Sequence, residues 1–185
     1  MLELTQRVGL VEASEIHDHL TLPYESRQRG RLWAKTDTGH DVGLFLDRGP
    51  VLRDGACLGA KTGEIIRIRA AEEPVVSAYI EMGIPMARLC YHLGNRHVSL
   101  AIGEELTAKA GTRGYVRFPP DHVLEELAER LGATLIHHQA PFDPEPGAYA
   151  HAGITHAQTY SQSHSYSESH DHGNGHKHGH GHNHE

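Results

Sequence analysis

The rhythm of hydrophobic and polar positions changes once along the body of the chain, near residue 71. Before that point short apolar stretches alternate with turn residues, and no helix-period stretch of useful length appears. Strands are predicted over Leu2–Val8, Leu20–Leu22, Leu32–Lys35, Val42–Leu46 and Glu64–Arg69. Thr38-Gly39, Arg48-Gly49-Pro50, Asp54-Gly55 and Thr62-Gly63 punctuate them. Residues 1–70 therefore read as a small all-β domain.

Residues 71–140 follow a different pattern. Pro74–Ile80 reads as a strand, and Met82, Met86, Leu89, Cys90 and Leu93 then fall on one face at helical spacing, with Gly94 as a stop. Val98–Ile102 and Tyr115–Phe118 read as strands separated by a Gly111–Gly114 turn. Pro119-Pro120-Asp121 opens a second helix with a buried stripe of Val123, Leu124, Leu127 and Leu131; Gly132 closes it, and Thr134–His138 is a last strand. The order β-α-β-β-α-β is that of the ferredoxin-like arrangement, so the fold class is α+β.

From Pro141 onward the chain reads as a linker, stiffened at its start by Pro144 and Pro146. After about Ala150 it becomes a tail of Ser, Gly, Asn and His whose only apolar residues are Ala152, Ile154, Ala157, Tyr160 and Tyr166. So little apolar surface does not offset the entropy of ordering the chain, and 141–185 is expected to be linker and disordered tail.

Composition narrows the function. Acidic residues outnumber basic ones 24 to 17, a formal charge of −7 over 185 residues, which argues against nucleic acid as a partner. No apolar run approaches the roughly 18–20 residues that span a bilayer, and MLELTQRVGL lacks the build of a signal peptide. Cys57 and Cys90 form no CxxC pair, so neither a disulfide framework nor a thiolate zinc site is expected. A protein of the reducing cytoplasm fits these features.

Histidine carries the chemistry. Ten of the 18 histidines lie between His151 and His184. His170, with Asp171 and His172, and the alternating His176, His178, His180, His182 and His184 put many imidazoles on a glycine-rich backbone. Neutral imidazole is a common ligand for nickel, zinc and copper. A purification tag is usually an unbroken run; here Ser, Tyr, Asn, Asp and Lys are mixed in, which favours a native metal-binding tail.

In the body, His92 and His97 are five residues apart, about 140° around a continuous helix, so they would not share one ion there. His92 is expected to pack or hydrogen-bond. His97 follows a Gly-Asn helix end, so its ring can stand free, and near a two-fold axis it would meet its own copy. His122 follows Asp121 at a helix N-terminus, where the dipole favours the neutral ring; Asp121 reads as the N-cap. His137 and His138 are adjacent on a strand and face opposite sides. His17, His19 and His40 read as surface residues, and Cys57 and Cys90 as small core residues. The Arg27, Arg29 and Arg31 run reads as a solvated surface or a contact for an acidic partner. No GxSxG, P-loop, HExxH or dinucleotide-binding pattern is present.

These residues carry a resemblance. Tyr91-His92-Leu93-Gly94-Asn95-Arg96-His97 matches the YHLGNRH stretch of the urease accessory protein UreE family, and Asp121-His122-Val123-Leu124 resembles that family's DHVL helix start. The segment from Pro141 to Tyr149, the opening LTQRV and Leu44–Arg48 also resemble it, in order along the whole chain. The resemblance implies a homodimeric cytosolic nickel chaperone, not an enzyme. It implies an N-terminal β domain of partner- or peptide-binding type and a ferredoxin-like metal-binding and dimerisation domain. By resemblance His97 supplies the metal site shared across the dimer, and His122 is a secondary ligand. Some members carry a histidine two residues before it, where this chain has Pro120. His151 is a further ligand by position. The partners implied are the urease apoprotein complex and the GTPase UreG.

Two other readings belong to different classes. A passive metal buffer would use the tail alone. A metal-dependent hydrolase would need His97, Asp121 and His122 together in one subunit. Imidazole chemistry does not choose among nickel, zinc and copper.

Overall fold

The computed structural model of the chain describes residues 1–9, 11–107 and 111–146. Two antiparallel-rich sheets carry the fold, a mixed α+β arrangement with a β-rich first part and a second part holding the longer helices. The first sheet has six strands: β1 (Leu2–Val8), β2 (Asp18–Leu22), β3 (Arg31–Lys35), β4 (Asp41–Phe45), β5 (Cys57–Ala60) and β6 (Ile65–Ala70), in the order β2-β6-β5-β1-β4-β3. A short helix, α1 (Tyr24–Arg27), follows β2. Pairings are antiparallel except β1 with β4 and β2 with β6. Leu4, Leu20, Val42, Leu44, Leu58, Ile66 and Ile68 fill the core. Burying each such side chain stabilises by about 1.5–3 kcal/mol.

The second sheet takes β7 (Glu72–Ile80), β8 (Ala101–Thr107), β9 (Gly111–Phe118) and β10 (Thr134–Pro141) in the order β10-β7-β9-β8, every neighbour antiparallel. Helices α2 (Ile84–Gly94) and α3 (His122–Arg130) lie on one face. The period-2 residues Val76, Ala78 and Ile80 of β7 and Val116 and Phe118 of β9 meet Met86, Leu89 and Leu93 of α2 and Leu124 and Ala128 of α3. Asp121 caps α3, accepting hydrogen bonds from the N–H groups of Val123 (2.9 Å) and Leu124 (3.1 Å), as its position in the sequence suggests.

Several expectations are corrected. β5 adds a strand at Cys57–Ala60, too short and glycine-broken to stand out in sequence. β8 begins at Ala101 and not Val98, and Gly111–Gly114 belongs to β9 and not to a turn. The glycine there answers a close approach: a Cβ on Gly114 would lie 2.5 Å from the Met82 sulfur. Met82 precedes α2 and is exposed, and Val123 faces solvent, so neither belongs to its expected buried stripe.

The expected linker also begins too early. β10 runs on to Pro141, Phe142 is fully buried against Tyr24 with ring centroids 5.2 Å apart, and Pro144 is buried. Arg27, expected on a solvated surface, is buried and holds this strap. The remaining tail, including His151 and every later histidine, lies outside the described residues.

Candidate metal centre

His97 ends the turn that follows α2. The N–H groups of Asn95, Arg96 and His97 donate to the carbonyls of Tyr91 (3.1 Å), Leu93 (3.0 Å) and Gly94 (2.9 Å), tightening the chain as the helix stops. His97 then takes φ = 56°, the one non-glycine residue with positive φ among the described residues. A side chain with a Cβ pays roughly 1–2 kcal/mol for that conformation. Its effect is to lift an exposed imidazole off the end of α2. Strain of this kind, held by surrounding structure, is characteristic of functional positions.

His92 behaves differently. It is half-buried, its ring meets that of Tyr91 edge-on at 5.3 Å, and Arg96 donates to its backbone carbonyl at 2.7 Å. It packs and does not join His97, as the spacing suggests.

His122 is the first residue of α3 and is exposed. The Nε2 of His137 lies 3.0 Å from a Glu125 carboxylate oxygen, while the other oxygen of that carboxylate accepts from the Asp121 N–H at 3.1 Å. His138 sits on the opposite face of β10, 2.9 Å from the Ser77 hydroxyl. Among the described residues no three His, Cys, Asp or Glu side chains converge to hold a metal ion. The single-subunit arrangement of His97, Asp121 and His122 that a hydrolase would need is therefore not formed.

Large apolar side chains stand exposed on α2 and β8. On α2, Ile84 (71% exposed) and Tyr91 (64% exposed) stand seven residues apart on the solvent side of the helix that ends at His97. On β8, an edge strand of the second sheet, Ile102 is opposite the buried Val116 and so points to the helix-bearing face, as does Leu106 two strand repeats on. Leu106 is 81% exposed. Periodicity marks the buried stripe of α2, and the signal for its exposed apolar side is the i, i+7 pair Ile84 and Tyr91.

The first sheet holds a separate polar cluster. A hollow of about 920 Å³ is lined by His17, Asp18, His40 and Glu64 among others, and by no residue of the second sheet. Asp18 is buried, which by itself would raise its carboxyl pKa. The polar groups around it, the hydroxyls of Thr36 and Thr38, the His19 N–H and the His40 ring, outweigh this and hold it well below the usual carboxylate range. The Nδ1 of His17 accepts from the Ile65 N–H at 3.2 Å. These contacts make the cluster a brace for the turn after β3.

Among the described residues no helix is long and apolar enough to cross a membrane. Residues 4–71 match the family model for the N-terminal domain of the UreE urease accessory protein, and residues 73–185 match that for its C-terminal domain. The urease accessory protein UreE of Marinobacter nauticus is 72% identical over 158 residues, covering 85% of this chain and 87% of the relative. That of Pseudoalteromonas translucida is 67% identical over 153 residues, covering 83% and 88%. That of Alkalilimnicola ehrlichii is 46% identical over 149 residues, covering 80% and 85%. Matched along both parts by family models and by relatives at this identity, the chain belongs to the UreE family of urease accessory proteins.

Proposed function

We propose that this accessory protein is a nickel metallochaperone: a cytoplasmic homodimer, not itself an enzyme, that delivers nickel to apo-urease as its active site is assembled, in concert with the GTPase UreG. The observation that carries the reading is His97, exposed at the end of α2 with a left-handed backbone, in a domain whose α2 and β8 also expose Ile84, Tyr91, Ile102 and Leu106. Large apolar side chains left open on one domain suit a protein interface. An isologous dimer through it brings the two His97 rings toward one axis. The β-α-β-β-α-β order and the β10-β7-β9-β8 sheet support a ferredoxin-like reading of residues 71–140 as the metal-binding and dimerisation domain, after an N-terminal β domain at 1–70.

Nickel is cargo here, so the site must release it. Two imidazoles leave a coordination shell incomplete, and an incomplete shell exchanges its ion more readily than a closed cage. His122 and the tail ligands His151, His170, His172, His176, His178, His180, His182 and His184 raise capacity and the local concentration of nickel. Zinc and copper suit the same donors.

Nickel stoichiometry and urease activation, compared for the full chain, His97→Ala and a chain ended at Ala150, test the proposal. His97→Ala is expected to lose activation at limiting nickel while keeping most bound ions, and the shortened chain to keep one ion per dimer. Normal activation by His97→Ala would sink the transfer-site assignment. Loss of all tight binding on removing the tail would leave a passive buffer.

A further inference from the structure

The only tryptophan of the chain lies on the surface, far from any role in the core. Trp33, on β3, is 65% exposed, and Phe45, on β4, is partly exposed beside it; their rings meet edge to face at 5.6 Å and 90°. Arg31, Trp33 and Lys35 share the outer face of β3 and stand opposite Phe45, Gly43 and Asp41 of β4. Gly43 is the seat of the aromatic pair: a Cβ there would lie 2.8 Å from the Phe45 ring and 3.2 Å from that of Trp33. Covering a strand glycine with an aromatic ring is a known way to patch a sheet. That role takes one face of the indole and leaves two-thirds of the side chain open to a partner.

Basic groups outnumber acidic ones beside the pair. Arg31, across from Phe45, also lines a hollow of about 340 Å³ together with Arg7 and Arg48, and Asp47 is the one carboxylate among its lining residues. Arg7, Arg31 and Arg48 make no ion pair among the described residues, whereas the neighbouring Lys35 and Asp41 neutralise each other at 2.5 Å. This basic patch stands on a chain of net charge −7. Against that net charge a cluster of three arginines, unpaired among the described residues, attracts an acidic partner. Exposed Trp flanked by Arg is also the composition of interface hot spots.

We propose that the Trp33–Phe45 face with Arg7, Arg31 and Arg48 is a docking surface for an acidic protein segment that carries an apolar anchor. β3 is an edge strand, so an extended segment can also pair with its free backbone. Nucleic acid fits less well, because the two rings are perpendicular and present no shared stacking platform, and the net charge opposes a polyphosphate. The surface rests on family membership and not on the nickel site.

Because Trp33 is the sole tryptophan, its emission reads occupancy directly. The full chain is titrated with a tryptophan-free peptide of Asp, Glu and Leu, with its Asn and Gln counterpart, and with single-stranded oligo-dT. The acidic peptide is expected to give a saturable blue shift, about tenfold weaker in Arg31→Glu and weakened by salt. In cells, Trp33→Ser and Arg31→Glu are expected to lower urease activation several-fold, with nickel stoichiometry and melting temperature unchanged. No shift with the acidic peptide, an equal response to the neutral one, tighter binding of oligo-dT, or full activation by both variants would each overturn the docking surface. A change in nickel stoichiometry for His97→Ala alone bears on the metal site and leaves this surface standing.

Discussion

The guanidinium of Arg27, wholly buried, lies 2.7 Å from the carboxylate of Asp143, 116 positions later in the chain. Its nitrogens also donate to the carbonyls of Leu52 (2.8 Å), Leu22 (3.3 Å) and Phe142. Asp143 also forms an ion pair with Arg53 at 2.9 Å. The strap after β10 is thereby fastened to the first sheet, and Tyr24, Val75, Ala140 and Phe142 form a small apolar core beside it. The two sheets are joined through residues that read in sequence as surface and linker.

Removing Asp143 leaves the buried Arg27 guanidinium without its counter-ion, at a cost of about 3–5 kcal/mol; removing Arg27 orphans three backbone carbonyls while Asp143 keeps Arg53. Arg27→Met and Asp143→Ala are each expected to lower the urea midpoint strongly. The double variant is expected to cost less than the sum of the two, since the second change removes a group already orphaned. Additive losses would mean the two side chains act independently.

Asp18 gives a pH signature. Its folded carboxyl is held below the unfolded value of about 3.9, so it binds a proton more readily when unfolded. The resulting stabilisation is fully present above about pH 4 and is lost progressively as pH falls below it. Asp18→Asn is therefore expected to be less stable than the parent at neutral pH, with the gap narrowing on acidification below about pH 4. Urea unfolding at several pH values reads this; a gap constant with pH would place the effect in packing alone.

The backbone of His97 separates fold from function at one position. With φ at 56°, glycine fits there without a Cβ penalty. His97→Gly is expected to be more stable than His97→Ala by about 1 kcal/mol, and both are expected to lose the proposed shared site. Thermal melting compares the two variants. Equal stability would show that the left-handed turn relaxes when the imidazole goes.

Periodicity carried much of the fold. β1, β3, β4 and both longer helices stand close to where alternation, the Gly94 stop and the Asp121 cap put them. It failed where a residue's role is set by a distant partner. Gly103 reads as nothing in particular until Tyr115 is laid across it, where a Cβ would sit 2.5 Å from the ring. Gly114 reads as a turn until Met82 lies over it. Arg27 reads as surface because nothing local announces Asp143. For the site, the helix end at Gly94-Asn95 marked His97 as free of the helix, but its left-handed backbone and the exposure of Ile102 and Leu106 belong to tertiary structure.

The apolar surface decides whether His97 meets its copy. Leu106 is 81% exposed on edge strand β8 and makes little of the core, so Leu106→Glu is expected to shift the stability of the fold by no more than about 0.5 kcal/mol. At a two-fold interface the same change buries a carboxylate with no partner, twice per dimer, which costs several kcal/mol. A standard interface of about 800 Å² per subunit does not absorb that loss at micromolar concentration. Sedimentation of the variant should give a folded monomer that retains tail-bound nickel and lacks the shared ion. If Leu106→Glu stays dimeric, the two-fold does not run through this edge of β8.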